Sequence, residues 1–485
     1  MTPLKILEIK CGACKMTQRY FDDEKIPNGW KYQFVGEVVE KISLTNKKLK
    51  QSEYKANGKI PVIDQGKKFI GGYTNREEMK TKVRSPVVIF GDHTRVMKFV
   101  NFDFVAGADG VKVLKPLNFF NPRLFYYFLQ AIELPKRGYS RHYQFLSKSM
   151  IPVPPLPEQI RIANKIDQLF SLLDSGIESL RKVERQSRVF HHAVLKSAFE
   201  GELTKKWRKY HKDELFPASK LLDQMRKEIG KSTRNENSTD NYKASNPYLQ
   251  KLPSLWAWTS IGEIKTFIGS GITPRGGKRV YSDKGIPFIR SQNVYPDGLQ
   301  LEDVVHISPE QHKEMKRTQL RPSDVLLNIT GASIGRSTYV PQNFCEANVN
   351  QHVCIIRTGW WIKAPFLSYF LNSTYGQEQI FSMESGMTRQ GLNYGQIRKL
   401  FVPLAPLREQ EEVAARIEQL WSVAGVTERT VSICLRQAEK LRQRILKEAF
   451  AGKLVPQNSL DERVEKSSDR IRADEDEESR SKRDE

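Results

Sequence analysis

The sequence lacks any run of about 20 consecutive apolar residues, which is the length that a membrane-spanning helix needs. Its first residues, MTPLKILEIKCGACK, also lack the apolar run and the small-residue cleavage pattern of a secretory signal peptide. Cysteine is scarce, and its number, 5, is odd, which argues against a disulfide framework. We therefore expect a cytoplasmic protein without a membrane-spanning segment.

Acidic residues are too few to balance the basic ones. The 485 residues include 78 Lys and Arg against 56 Asp and Glu, which gives a formal net charge of +22. This surplus predicts a polyanionic partner, either nucleic acid or an acidic membrane surface. The final 26 residues, from Leu460, hold 7 basic and 11 acidic side chains, so the surplus lies in the rest of the chain. That last segment is almost free of apolar residues, which is typical of a disordered tail.

The chain contains a long internal repeat. With a shift of 251 residues, Ile151–Leu203 lies over Val402–Leu454 without a gap, and 18 of the 53 positions are identical. With a shift of 226 residues, Ile26–Ile42 lies over Leu252–Ile268. Each half therefore begins alike and ends alike, while the middles diverge. This pattern is typical of two related domains that recognise different targets, although drift of a duplicated structural domain would produce it too.

The repeated segments predict two long helices. Apolar residues recur at seven-residue spacing through both segments, which favours a coiled-coil seam. Each helix begins after a Pro-rich run, PVPPLPEQ or PLAPLREQ, and ends at a glycine, Gly201 or Gly452. A helix of about 42 residues is a rod of roughly 60 Å. Pairing of the two rods within one chain is the economical arrangement, and homodimerisation through each seam is the alternative.

Two groups of residues belong to these helices. The helix-start motifs consist of Pro155, Leu156, Glu158, Gln159, Pro406, Leu407, Glu409 and Gln410. The predicted helix-pairing seam consists of Ile162, Ile166, Leu169, Leu173, Leu180, Val183, Phe190, Val413, Ile417, Leu420, Val431, Leu441 and Ile445.

Residues 26–150 and 251–398 are rich in short β-branched runs broken by Gly, Asn and Asp, which predicts a mixed α/β domain in each half. The predicted fold class is α+β, with two such domains in tandem. Each domain is followed by a long helix, and the two helices pair as an antiparallel coiled coil with pseudo-twofold symmetry. The remaining expected segments are an N-terminal extension (1–25), two helical spacer regions (151–204 and 399–455), a connector with a flexible linker (205–250) and a charged, disordered tail (456–485).

Both domains carry basic side chains close to amides. Arg and Lys hold phosphates and pair with guanine, whereas Asn and Gln pair with adenine, so these residues suit DNA binding. For any single basic residue, a phosphate contact or a solvated position is more common than base recognition. The DNA-binding candidates are Lys47, Lys48, Arg76, Arg84, Arg95, Lys98, Arg275, Lys278, Arg279, Arg290, Gln292, Asn293 and Arg336.

Two other classes of DNA-binding protein are alternatives. A self-contained DNA methyltransferase or nuclease would need catalytic motifs, and the nearest run, Asn121-Pro122-Arg123-Leu124, lacks the second proline and the aromatic residue of a base-flipping methyltransferase. A DNA-binding regulator would share the basic domains but would have no use for two helices matched in length. We assign no residue to catalysis, to a cofactor or to a metal.

The combination of motifs resembles the specificity subunit of type I restriction-modification systems. The motifs are the LPxxW opening, the PPLPEQ and APLREQ helix starts, the AFxGxL helix ends and the tandem layout. The resemblance covers roughly residues 26–455, and LTKKWRKY and KLLDQMRKE after the first helix are similar to the connector of that family. The first 25 residues and the charged tail have no counterpart in that pattern.

The resemblance implies that the two domains are target-recognition domains. Each would bind one half of an asymmetric, bipartite site in double-stranded DNA, and the helices would set the spacer between the halves. It also implies two modification subunits, which carry S-adenosylmethionine and methylate adenine, and restriction subunits, which cleave DNA with ATP and magnesium. This chain would provide recognition without catalysis, would bind no cofactor itself and would have no membrane partner.

Overall fold

The computed structural model describes residues 26–44, 47–107, 110–135, 140–228, 251–274, 280–384, 391–461 and 464. The chain divides into two compact units, of which unit 1 is 1–180 with 433–485 and unit 2 is 181–432. Each unit therefore takes one domain, the first part of the helix that follows it, and the last part of the other helix. The expected N-terminal extension, residues 229–250 of the expected connector and linker, and most of the expected tail lie outside the described residues.

Unit 1 contains ten strands among its described residues. They are β1 (Lys31–Phe34), β2 (Val39–Lys41), β3 (Lys48–Leu49), β4 (Ile60–Ile63), β5 (Gly72–Thr74), β6 (Val87–Gly91), β7 (Met97–Val100), β8 (Val105–Gly107), β9 (Val111–Pro116) and β10 (Met150–Val153). Its helices are α1 (Pro122–Ala131), α2 (Tyr143–Leu146) and the first part of α3 (Leu156–Phe199), with short 3-10 turns at Gln51–Glu53 and Glu77–Met79.

Unit 2 begins within α3. Its helices are α4 (Lys205–Tyr210), α5 (Ala218–Glu228), α6 (Ile261–Ile264), α7 (Pro309–Glu314), α8 (Ala364–Asn372), α9 (Thr374–Glu384), α10 (Tyr394–Lys399) and the first part of α11 (Leu407–Phe450), with 3-10 turns at Lys212–Glu214, Ser291–Asn293, Lys316–Thr318 and Gly331–Ser333. Its strands are β11 (Ala257–Ser260), β12 (Lys265–Ser270), β13 (Ile286–Ile289), β14 (Val294–Tyr295), β15 (Gly298–Leu299), β16 (Val305–Ile307), β17 (Val325–Asn328), β18 (Ser337–Tyr339), β19 (Asn348–Val349), β20 (Val353–Thr358) and β21 (Phe401–Leu404).

The two domains share one strand order. An antiparallel sheet runs β2-β9-β6-β7 in unit 1 and β12-β20-β17-β18 in unit 2. A second sheet places β4 between parallel β8 and antiparallel β5, as it places β13 between parallel β19 and antiparallel β16. The central strands β6 and β17 are buried along their whole length, which explains why they are almost entirely apolar, with Asn328 at the end of β17 as the polar exception. The predicted tandem of mixed α/β domains is confirmed.

The segments that open each half, Ile26–Ile42 and Leu252–Ile268, lie against the starts of the long helices. Strand β1, in the first opening, pairs antiparallel with β10, the strand directly before α3. Strand β11 pairs in the same way with β21, directly before α11. The first part of each predicted helical spacer region is therefore a strand, and α3 and α11 begin only at Leu156 and Leu407 and run for 44 residues each. The carbonyl oxygens of Pro155 and Pro406 accept the first backbone hydrogen bonds of these helices.

The glutamines of the two helix-start motifs make the same three hydrogen bonds. Gln159 accepts from the backbone N–H of Asn121 at 2.6 Å and donates to the carbonyl oxygens of Phe119 and Pro154. Gln410 accepts from the backbone N–H of Lys363 at 2.8 Å and donates to the carbonyl oxygens of Trp361 and Ala405. Both amides are buried, so each satisfies backbone groups that would otherwise lie unpaired beside the start of the domain helix.

The glutamates of the helix-start motifs hold the tryptophans of the openings. Trp30 Nε1 donates to Glu158 at 2.9 Å, and Trp256 Nε1 donates to Glu409 at 2.9 Å. The other partners differ, because Gln457 donates to Glu158 at 2.6 Å, whereas Arg208 Nε donates to Glu409 at 2.7 Å. Burial raises the pKa of Glu158.

The long helices end where their glycines contact the openings. Gly201 (φ +77°) and Gly452 (φ +68°) adopt left-handed conformations, and the N–H groups of Glu202 and Lys453 bond back to Ser197 and Glu448. This is the hydrogen-bond pattern of a Schellman cap. A Cβ atom on Gly201 would lie 2.3 Å from Pro253, and one on Gly452 would lie 2.3 Å from Pro27.

Within each unit the helix segments run antiparallel. In unit 1, Phe170 contacts Arg442 of α11, while Glu158, further toward the start of α3, contacts Gln457 beyond the end of α11. In unit 2, His191 of α3 stacks on Trp421 of α11. The predicted antiparallel pairing of the two helices is confirmed.

One of the two rows of the predicted seam is displaced along each helix. Of the predicted seam residues, Ile162, Ile166, Val413, Ile417, Val431 and Ile445 are buried and Leu169, Leu173, Leu180 and Leu420 are half-buried, but Val183, Phe190 and Leu441 are exposed. In that row the covered positions lie one residue further along, at Phe170, Ile177 and His191 in α3 and at Trp421, Glu428 and Arg442 in α11, and they keep the seven-residue spacing. The other row, at Ile166, Leu173 and Leu180 in α3 and at Ile417, Val431 and Ile445 in α11, is covered as predicted, so the contact face follows a heptad whose second row was assigned one residue too early.

The connector and the described part of the tail both pack on their units. Helix α5 buries Ala218, Leu221, Leu222 and Met225 in the core of unit 2. In unit 1, Arg161 forms an ion pair with Asp461 at 2.6 Å, so the chain is held at least six residues beyond position 455, where we expected disorder. The rest of the expected tail, apart from residue 464, lies outside the described residues.

Candidate nucleic-acid interface

Three loops meet at one end of the sheets of the first domain. Thr94 Oγ1 donates to the carbonyl oxygen of Gln65 at 2.7 Å, and the backbone N–H of His93 donates to Gln65 Oε1 at 3.3 Å. The backbone N–H of His142 donates to the carbonyl oxygen of Asp92 at 2.9 Å. We call this cluster the first strand-end surface, and it consists of residues 64–66, 92–96 and 140–142.

The first strand-end surface is bordered by basic side chains. Lys67 and Lys68 are exposed next to its loops, Arg141 is exposed within one of them, and Lys112 is exposed on β9 with its ammonium 5.8 Å from the centre of the Tyr143 ring. Such a ring of cations can hold phosphates of a nucleic acid backbone.

Arg95 lies within this surface and is half-buried. It adopts a left-handed backbone conformation, with φ +61°, in the turn between β6 and β7. Its guanidinium donates one bond, to the carbonyl oxygen of Leu134 at 3.4 Å. Because a guanidinium carries five N–H donors, most of the recognition capacity of Arg95 remains for a ligand.

The second domain has a corresponding cluster. Asn328 Nδ2, at the end of β17, donates to the carbonyl oxygen of Ser291 at 2.8 Å. Thr330 Oγ1 lies 2.5 Å from His352 Nδ1, and the backbone of Thr330 bridges to Gly391. We call this cluster the second strand-end surface, and it consists of residues 290–293, 329–336, 350–352 and 391–393.

Amides and arginines occupy the second strand-end surface. Gln292 and Gln351 are exposed. Arg336 is half-buried, with its guanidinium 5.0 Å from the centre of the Tyr295 ring, and Arg290 donates to the carbonyl oxygen of Asp303 at 3.3 Å. A stacked arginine and exposed amides are the groups that pair bidentately with guanine and adenine.

Two of the candidates from the sequence are structural residues instead. Lys98 is buried on β7 between Asp64 and the carbonyl oxygen of Lys68, which it contacts at 3.4 and 2.5 Å, and burial lowers its pKa while Asp64 opposes that change. Asn293 is buried, accepts from the backbone N–H of Arg290 and donates to the carbonyl oxygen of Gln300. Neither side chain reaches the surface, so neither is available to DNA in this structure.

The structure separates the remaining candidates of the first domain. Lys48 begins β3, which runs parallel to β8 and so starts at the end opposite to the first strand-end surface. Arg76 follows β5 at this same opposite end and forms an ion pair with Glu53 at 2.7 Å. Lys47 precedes β3, and Arg84 follows Val83, whose N–H donates to Asp103 just before β8. All four of these basic residues are exposed.

Several residues of the two surfaces were not expected from the sequence. They are Gln65, Lys67, Lys68, Lys112, Arg141, Gln351 and His352. Their shared signal is position, because each lies within or next to a short polar loop that follows or precedes an apolar strand. The candidates Arg275, Lys278 and Arg279 lie outside the described residues.

Two other kinds of site are absent from the described ranges. In them, no group of three or more His, Cys, Asp or Glu side chains has the arrangement of a metal site. None of the described helices combines the length and apolar character that a membrane crossing requires.

Comparisons with known proteins agree on one family. The family model described as the type I restriction modification DNA specificity domain matches residues 27–185 and again residues 253–430. These two matches coincide with the two domains and the first parts of the helices that follow them.

Two individual relatives come from Escherichia coli. The specificity subunit of the type I restriction enzyme EcoBI of Escherichia coli is 29% identical over 349 residues, which are 70% of this chain and 67% of that one. The specificity subunit of the type I restriction enzyme EcoDI of Escherichia coli is 23% identical over 322 residues, which are 63% of each chain. The alignments thus span about two thirds of the length of these relatives.

A solved structure shares the fold. It comes from work on complex assembly and conformational transition of the type I R-M system, and it superposes with a TM-score of 0.59 at 18% identity over 88% of this chain and 99% of that one.

Proposed function

This chain belongs to the type I restriction-modification DNA specificity family, and from this premise we propose that it recognises an asymmetric, bipartite sequence in double-stranded DNA, with one half-site bound by each domain. The observation that carries the proposal is the repetition of the strand-end surface. Two domains with one strand order present the same loops, yet with different side chains. Two related but non-identical readers suit two half-sites of different sequence.

Within this proposal the two strand-end surfaces contact the bases. Arg95 and Gln65 in the first domain, and Gln292 and Arg336 in the second, carry the donors and acceptors that distinguish base edges in the major groove. Lys67, Lys68 and Arg141 supply phosphate contacts around the first surface. Lys47, Lys48, Arg76 and Arg84, at the opposite end of the first domain, are candidates for phosphates that flank the half-site.

The long helices would set the spacer between the half-sites. Each is 44 residues long, which corresponds to about 66 Å of α-helix at 1.5 Å per residue. Half-sites that are contacted from one face of a duplex lie about 34–36 Å apart per helical turn. Two helices of equal length in one chain are suited to hold the two recognition domains at a fixed separation.

The chemistry would reside in partner proteins. We propose two modification subunits, which use S-adenosylmethionine to methylate adenine, and restriction subunits, which cleave DNA with ATP and magnesium, all in the cytoplasm where the DNA is accessible. The family and the relatives named as specificity subunits support this assignment. This chain would provide recognition of the DNA sequence alone.

Genome-wide mapping of methylated adenine tests the proposal. Cells with the gene for this chain and the genes for its modification subunit should methylate one split, asymmetric motif. Deletion of this gene alone should abolish methylation at that motif, and reintroduction should restore it. Methylation of the same motif without this chain would refute the proposal.

A further inference from the structure

The first domain is attached to the helices at a second place besides the chain connection. Asp167 of α3 accepts hydrogen bonds from the Tyr127 hydroxyl and from Arg123 Nε and Nη2, the latter two at 3.1 and 2.9 Å, and both partners lie on α1. The Tyr127 ring meets Phe170 of α3 edge-on at 5.4 Å, and the guanidinium of Arg442 of α11 lies 4.3 Å from the centre of the same Phe170 ring. One carboxylate and one ring thus join the domain helix to both long helices.

Unit 2 contains the counterpart of this cluster. Glu418 of α11 accepts from the hydroxyls of Tyr339 and Tyr369 at 3.0 and 3.3 Å. The Tyr369 ring, on the domain helix α8, meets Trp421 edge-on at 5.3 Å, and His191 of α3 stacks on Trp421 at 4.9 Å. Burial raises the pKa of Tyr339 to about 12, so its hydroxyl stays protonated and continues to donate.

The two clusters occupy the same positions of the internal repeat. Asp167 and Glu418 are 251 residues apart, as are Phe170 and Trp421. The stacking residues His191 and Arg442 are also 251 apart. His191 of α3 contributes to unit 2, in which α11 begins, and Arg442 of α11 contributes to unit 1, in which α3 begins. None of these three positions is identical between the halves, yet each pair keeps its chemical role of acceptor, ring or stacked basic side chain.

The geometry gives each domain two anchors on its long helix. The chain itself enters α3 at Leu156 and α11 at Leu407, and the carboxylates lie 11 residues further along each helix, which is about 16 Å. A body that is held at two points so far apart cannot tilt along the helix. Without the hydrogen bonds to the carboxylate, the first anchor and apolar packing remain to oppose such a tilt in unit 1, and in unit 2 the Tyr375 hydroxyl also donates to Glu200, just after the end of α3, at 2.7 Å.

We propose that Asp167 and Glu418 are positioning residues that fix the angle of each recognition domain on its helices and thereby restrict the spacer length that the chain accepts. The inference rests on the proposed function. A spacer that is longer or shorter by one base pair displaces a half-site by about 3.4 Å along the duplex. Domains with a fixed angle cannot bind both half-sites after that displacement, whereas domains that can tilt still reach both.

The two units should differ in their dependence on the carboxylate. In unit 1 the cluster borders a cavity of about 490 Å³ that is also lined by Phe69, Phe99 and Gln130, so α1 has space into which it can shift. In unit 2 the larger Trp421 ring is buried between its two aromatic neighbours, with 8% of the residue exposed, and holds α8 by packing. We therefore expect Asp167 to matter more than Glu418.

The test uses the complete complex of this chain with its modification subunits. A library of sites carries the native half-sites with spacers from two base pairs shorter to two base pairs longer than the native one, and methylation is counted by sequencing. Asp167→Ala should raise methylation at spacers altered by one base pair about tenfold relative to the native spacer, which is the scale of one relaxed contact in protein–DNA specificity. Glu418→Ala should raise it less. Gln168→Ala and Gln419→Ala, exposed neighbours that are also 251 residues apart, serve as matched controls and should leave the spacer profile unchanged.

Asp167→Asn protects the test against loss of folding. The amide keeps the shape and one acceptor for Tyr127, so this variant should fold and show an intermediate relaxation. A purely structural role would lower methylation equally at all spacers, and that result in both Asp167 variants would overturn the inference, as would altered half-site sequences. If the wild-type complex methylates no bipartite motif at all, the proposed function fails first, independently of these variants.

Discussion

The two helix-start glutamates should differ sharply in their contribution to stability, although they occupy the same repeat position. Glu409 is fully buried and holds the guanidinium of Arg208, which is itself only 15% exposed, together with Thr204 and Trp256. Glu158 holds two neutral donors, Trp30 and Gln457. Substitution by glutamine preserves shape and removes charge, so the pair isolates the effect of the buried ion pair.

The expected magnitudes follow from these partners. Glu409→Gln leaves the Arg208 guanidinium buried without its counter-charge, and loss of one partner from a buried ion pair costs about 3–5 kcal/mol of unfolding free energy. Glu158→Gln retains one accepting oxygen and loses one hydrogen bond between the carboxylate and a neutral donor, which costs about 1 kcal/mol. For a unit of this size 1 kcal/mol corresponds to a shift of about 2–4 °C. The melting temperature of unit 2 should therefore fall by roughly 10 °C in Glu409→Gln, and that of unit 1 by only a few degrees in Glu158→Gln.

Differential scanning calorimetry of the full chain measures both values. Glu411→Gln, which removes a surface ion pair with Lys363, is the control and should change the unfolding free energy by less than about 1 kcal/mol. Equal losses in Glu409→Gln and Glu158→Gln would refute the reasoning, because they would show that the Arg208 pair adds nothing to the tryptophan contact.

Three further predictions concern stability and spacing. Gly452→Ala should destabilise unit 1 by at least about 1–2 kcal/mol in a urea titration, since alanine resists a left-handed conformation and its Cβ would meet Pro27. In the same titration Gly176→Ala, at a helical position with nothing within 4 Å, should stabilise unit 1 by up to about 1 kcal/mol. The raised pKa of Glu158 means that the native state binds its proton more tightly than the unfolded state does, so the contribution of Glu158 to stability should fall as pH rises from 4.5 through the raised value. The corresponding fall in melting temperature with rising pH should be absent in Glu158→Gln. Insertion of one heptad into both α3 and α11, which lengthens each by about 10 Å, should lengthen the methylated spacer by about three base pairs and leave both half-sites as they were, a result that sequencing of methylated sites would establish or contradict.

The repeat made most of the architecture predictable. Identities at Pro155 and Pro406 and at Gly201 and Gly452 marked both ends of the long helices to within two residues, because proline and glycine act locally on the backbone. The seam was less predictable, because apolar Leu169 and Leu420 stand next to aromatic Phe170 and Trp421, and the sequence does not show which neighbour faces the other helix. Val183, Phe190 and Leu441 belong to the row that was assigned one residue too early, and all three are exposed.

The recognition surface was harder to predict because exposure depends on tertiary packing. Lys98 lies on the same side of β7 as buried Val100, and the two-residue alternation of a strand could have indicated that it points inward. The grouping of Gln65 with Arg95, and of Gln292 with Arg336, depends on loops that meet only after the sheets form. No local sequence pattern encodes such a meeting.

Exchange of one domain tests the central claim most directly. Residues 26–150 are replaced by the corresponding domain of a relative with a different target, while α3, α11 and the second domain stay unchanged, and methylated adenines are mapped by sequencing. The account predicts a new sequence in one half-site, with the other half-site and the spacer length unchanged. A change in both half-sites would contradict the claim that each domain recognises its own half of the DNA site.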